Sequence, residues 1–126
     1  MKTVEQAIHD VLWKALSEDL DVYDSRPMTE VKYPFADFED FNSDFSGTKS
    51  GPLTQVTAVI NIWDTENNRK NVSDLAHKLM QTAIETHEAY GHKVTARMDE
   101  SSIKLMQDAT VTPSIWRGMV TIIFSI

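Results

Sequence analysis

The chain has 126 residues, enough for one domain and too few for two ordinary ones. It contains no cysteine, which excludes disulfides, thiolate metal sites and cysteine nucleophiles together. Nineteen acidic against twelve basic side chains leave a formal charge of −7, the wrong sign for a surface that grips nucleic acid through clustered Lys and Arg. No run approaches the ~18 consecutive apolar residues of a membrane span, and Met1–Gln6 lacks the hydrophobic stretch of a signal peptide. The expectation is a soluble, intracellular, acidic single domain over residues 1–126.

The first segment predicts an amphipathic helix. Thr3 can cap it, with Gln6 three residues on completing a capping-box pattern. Val4, Ile8, Val11, Leu12, Ala15 and Leu16 recur at steps of three and four and form one stripe. Trp13 falls almost opposite that stripe, among Gln6, Asp10 and Ser17. Two readings stand for it: a ring lying flat beside its neighbours, or a subunit contact.

Val22–Ser25 reads as a short strand ended by Arg26-Pro27, and Tyr33–Phe41 as an aromatic-rich strand with Pro34 in its first residues or at an edge. Asp37, Glu39 and Asp40 interrupt the apolar pattern, so one face of that strand is expected to be solvated. The polar stretch Asn42–Pro52 is longer than a hairpin needs and reads as a binding loop, a flexible segment over 42–53. Val56–Trp63 is a clear strand, with Val56, Ala58, Ile60 and Ile62 on one face and Thr57, Val59, Asn61 and Trp63 on the other.

Asn71 is placed to cap a second helix, whose Val72, Leu75, Ala76, Leu79, Met80, Ala83, Ile84 and His87 share one arc, and Gly91 suits its left-handed C-terminal position. Lys93–Gln107 alternates in its first half; Ser102–Met106 is either strand or a brief helix. The closing run from Trp116 has period two, with Val120, Ile122, Phe124 and Ile126 facing the helices. The order α-β-β-β-α-β-β predicts a two-layer α+β domain: a mostly antiparallel β-sheet with two helices packed on one face.

Sites for chemistry are scarce in this pattern. His77 and His87 lie about 80° apart around their helix and ten residues along it, so they cannot share an ion, and no His-x-x-x-His spacing occurs. Glu39/Asp40 and Asp99/Glu100 are adjacent on strands, where neighbours point to opposite faces, so neither pair can flank one bond. No P-loop and no Gly-x-Ser-x-Gly elbow is present. The reading is non-enzymatic, with no cofactor and no metal. What remains are interface anchors: Trp13, Trp63, Trp116 and Arg117, with Phe45 and Lys49 on the long loop. Cross-strand packing is the competing account of Trp63 and Trp116.

The whole order of elements, with Tyr33-Pro34-Phe35, the strand ending Ile62-Trp63 and the final strand opening Arg117-Gly118, resembles the tail-terminator and tail-completion proteins of long-tailed bacteriophages and prophages. The resemblance implies a virion protein assembled in the bacterial cytoplasm, without active site or cofactor. It implies self-association into a hexameric ring that caps the completed tail tube, touches the major tail tube protein and presents a surface to the head-completion connector. DNA would pass through the ring without specific binding. The segment Asn42–Pro52 and the sheet edges would make the contacts. A head-completion adaptor or stopper, and a small-ligand or enzymatic α+β domain with its pocket between sheet and helix, are the alternatives.

Overall fold

The computed structural model describes residues 2–45 and 52–126. The expected layers are present. Helices α1 (Val4–Ser17) and α2 (Arg69–Glu85) cover one face of a sheet built from β1 (Asp21–Tyr23), β2 (Phe35–Phe45), β3 (Leu53–Thr65), β6 (Thr95–Ala96), β7 (Ser102–Asp108) and β8 (Ile115–Ser125). Spatial order runs β1-β2-β3-β8, and both β6 and β7 pair with β8 on its far side. Among the described residues only β1 and β2 pair in parallel; the other pairs are antiparallel.

Between α2 and β7 the chain is more broken than its alternation suggests. A two-residue hairpin, β4 (Glu88–Ala89) and β5 (His92–Lys93), precedes β6. Its loop is Tyr90-Gly91, both at positive φ (47° and 89°), the backbone that lets a two-residue turn follow the twist of its strands. Gly91 therefore serves this hairpin, six residues beyond the last residue of the helix it was expected to close. Residues 102–106, left open between strand and helix, lie in strand β7.

The core follows the alternation. Val56, Ala58, Ile60 and Ile62 of β3 and Val120, Ile122 and Phe124 of β8 are fully buried beneath Ile8, Leu12, Val72, Ala76 and Leu79. Gly118 lies on this face where α2 approaches closely: a Cβ there would stand 2.7 Å from Val72 Cγ1. Ile126 falls beyond the end of β8 and is exposed, against expectation, although its N–H still donates to the Thr54 carbonyl at 3.1 Å.

Four local expectations are corrected. Strand pairing continues from Asn42 to Phe45 against Thr57 to Leu53, so these residues belong to the hairpin and not to the loop; residues 46–51 lie outside the described part. α2 starts at Arg69 after Asn68, whose side chain makes no cap bond, and Asn71 instead donates to Asp64 Oδ2 at 2.8 Å. The fully buried Asp64 also accepts from Thr65 N (2.7 Å) and Asn68 Nδ2 (3.1 Å), gathering the polar groups of the turn on one carboxylate. At its other end α2 stops at Glu85, where Thr86 turns extended with its hydroxyl bound to the Thr82 carbonyl; His87 lies outside the helix and exposed, and Ile84 is exposed too.

Thr3 caps α1, its Oγ1 accepting from Gln6 N at 3.1 Å. The Gln6 side chain does not close the box but donates to Asp10 Oδ1 at 2.8 Å. Asp10 also binds the Lys2 ammonium and His9, and these bonds, Lys2 first, lower its carboxyl to about 2 from the ordinary 3.8. A depressed folded value means that the bonds stabilise the fold fully above about pH 4 and lose that effect as the pH falls through about 2. A carboxyl-resolved NMR titration should place the Asp10 midpoint near 2, and Lys2→Ala should move it back toward 3.8.

Candidate interaction surfaces

The face of the sheet away from the helices carries the polar chemistry. Where β1 crosses to β2, the intervening chain folds back over this face: Val31 and Tyr23 pack on a second small apolar cluster of Phe35, Trp63 and Ile115. Trp63 is only 3% exposed and stacks on its cross-strand partner Phe35, ring centroids 6.3 Å apart. Packing, not exposure, accounts for it.

Beside this cluster the cross-strand pair Asp37–Asn61 is buried, and every polar atom in it is satisfied. Asp37 accepts from Asn61 Nδ2 at 2.9 Å and from Trp63 Nε1 at 2.7 Å. Arg117, on β8, donates from Nε to Asn61 Oδ1 at 2.8 Å and from a terminal nitrogen to Glu39 Oε1 at 2.7 Å. Glu39 also accepts from Asn61 Nδ2 at 3.0 Å. It reaches this face because the β2–β3 register slips between Phe38 and Asp40: Phe38 pairs with Ile60 and Asp40 with Val59, with Glu39 as the extra residue. The expectation that Glu39 and Asp40 point to opposite faces fails at this bulge.

The network lines an open hollow of about 220 Å³ together with Ser25 and Arg26. The Arg26 guanidinium lies 4.2 Å from the centre of the Trp63 ring, and that of Arg117 lies 5.4 Å from it. The field of both arginines reaches Asp108, whose carboxyl is held below its usual range chiefly by the hydroxyl and N–H of Thr110 and secondarily by Arg26 and Arg117.

Of the residues singled out in the sequence, the structure brings Trp63, Trp116 and Arg117 to one end of the sheet. Trp63 is paired with Arg117, and Trp116 follows on the helix side. Trp116 is half-buried: its Nε1 donates to the Glu66 carbonyl at 2.9 Å and the Arg69 guanidinium lies 5.4 Å from its ring. Phe45 stands apart at the far end of the β2–β3 hairpin, 62% exposed. Lys49 lies outside the described residues.

Trp13 is not on a wet face. It is half-buried, stacked on His9 (5.4 Å) and tilted against Phe38 (5.5 Å), because α1 rides beside β2, where Phe38 and Phe41 rise high enough to meet the flank of the helix as well as its stripe. His9 completes this corner, with Nδ1 3.0 Å from Asp10 and Nε2 2.8 Å from Asp24.

Sequence reading missed Arg26, Asp37 and Asn61 as members of one group. The available signal was the pair of polar residues, Asp37 and Asn61, each two positions from a strand aromatic. Among the described residues no three His, Asp or Glu side chains converge as metal ligands would. Between the helices a crevice of about 30 Å³ opens, beside Leu16 and Leu79.

Fold and site together define a two-layer α+β domain whose polar convergence lies on the sheet face away from the helices. The same fold occurs in the bacteriophage SPP1 gp17 protein, at 18% identity over 99% of this chain and 92% of that one, with a TM-score of 0.61. It occurs again in a chain of the virion of a native gene transfer agent (GTA) particle, at 12% identity over 97% and 90% of the two chains, with a TM-score of 0.60. No protein-family model and no curated protein matches the chain.

Proposed function

We propose that the chain is a structural protein of a phage virion, and that it caps the completed tail tube and forms the head–tail joining interface as a ring of six copies. The observation that carries this reading is the extent of the structural likeness. Nearly the whole chain superposes on nearly the whole of a phage protein and of a virion component, so the likeness is of a complete domain and not of a shared supersecondary unit.

Surface features agree with it. A closed ring needs two different patches on each copy. Phe45, exposed at the hairpin end, and the outer edge of β2 beyond its three-residue pairing with β1 supply one candidate patch; the outer edge of β7 supplies another. The surplus of acid side chains on each copy would line a lumen that repels passing DNA and keeps it moving.

Electron microscopy of particles made without this gene product tests the reading. Headless tails of irregular or excessive length are the expected result. Normal tails beside unplugged heads would reassign the protein as a head-completion adaptor or stopper, and normal infectious particles would remove it from the virion altogether.

A further inference from the structure

We infer that the hollow above Trp63 is a socket for a carboxylate side chain, presented on an acidic peptide segment of another protein. The inference concerns the isolated chain and does not rest on the tail reading.

The hydrogen-bond inventory of the hollow points to an acceptor-rich ligand. Its acceptors are nearly all in use: both oxygens of Asp37, Oδ1 of Asn61 and one oxygen of Glu39 each take a donor from within the network. Its donors are not. Arg117 spends Nε and one terminal nitrogen, leaving the other without a partner among the described residues. Arg26 is exposed and has no ion-pair partner among the described residues, so its whole fork is unspent.

The surroundings select a peptide carboxylate. The Trp63 ring, held by its bond to Asp37 and by Phe35, is a flat rigid bed for the Arg26 guanidinium, so less freedom is lost when the fork engages a planar anion. A guanidinium holds a carboxylate by two parallel N–H bonds, and Arg117 already binds the carboxylate of Glu39 within the same hollow. Duplex DNA is disfavoured because its phosphates are fixed in a dense row, so engaging one brings the next against Glu39 and Asp37, whereas a flexible peptide can direct one carboxylate to Arg26 and turn the others outward. An arginine at the mouth of a preformed hollow is also a residue type that concentrates binding energy at protein interfaces.

The test is calorimetric titration of the full chain at low salt with N-acetyl-hexaglutamate amide. Saturable binding is expected, weakened roughly tenfold or more by Arg26→Ala, the loss of one charge-assisted pair. Arg26→Lys should recover only part of it, because an ammonium keeps the charge and loses the fork. Arg97→Ala, which removes an arginine already paired with Asp99 and Glu100, should leave binding unchanged. Three results would overturn the socket: no saturation at millimolar peptide, undiminished binding by Arg26→Ala, or tighter binding of a short DNA duplex than of the peptide.

Discussion

Trp63→Ala should destabilise the fold by about 3–5 kcal/mol, measured as the change in urea unfolding free energy of the isolated chain. The indole fills the space between Phe35 and Ile115 and is the floor on which Arg26 rests. Its removal opens a cavity on the side of the sheet that has no helix to settle into it. It also strips Asp37, a buried carboxylate, of one of its two donors. Trp63→Phe removes the N–H and part of the ring but leaves an aromatic in place, so its cost should be that of one unsatisfied buried acceptor and a smaller cavity, about 1–3 kcal/mol and less than that of Trp63→Ala. Were Trp63 an exposed interface anchor, both variants would unfold like the parent chain; equal stability of all three would refute the packed arrangement.

Leu79→Ala comes next, with an expected cost of about 2–5 kcal/mol. Leu79 is 2% exposed on the sheet side of α2, among side chains too closely packed to collapse into the space it leaves. The instructive comparison is Trp13→Ala. Its half-buried ring packs on His9 and Phe38, so removal should cost roughly 1–2 kcal/mol. Thermal melts of the two variants side by side decide the ranking. A Trp13→Ala melt as low as that of Leu79→Ala would place the ring deep in the core, and an unshifted one would return it to the surface.

The helix-facing side of the sheet was legible residue by residue. Val56, Ala58, Ile60 and Ile62, and Val120, Ile122 and Phe124, announce their common face through alternation alone, and the stripe of α1 does so through its steps of three and four. Ends were less legible. The hairpin carried strand pairing into Asn42–Phe45 because the partner strand supplies hydrogen bonds whatever the polarity of the side chains. His87 fits the arc of α2 only if the helix reaches it, and Thr86 ends the helix first. Of the six residues marked as interface anchors, Trp63, Trp116 and Arg117 do share one end of the sheet, but Trp63 and Arg117 are occupied in holding that end together.

Sequence alone determined the class of fold, since periodicity is local: each residue records whether its own side of a strand or helix meets other apolar groups. It also determined that this chain carries excess acid and no thiol chemistry. Tertiary structure decided everything that depends on the meeting of distant segments. Asp37, Asn61 and Arg117 become one network only because three strands align in a particular register, and Glu39 joins them only because β2 gains a residue against β3. Arg26 reaches Trp63 from a crossover loop whose path no spacing encodes. Periodicity gives the side of an element that is covered; register and bulge, set by the partner strand, give the neighbours that a polar group will find there.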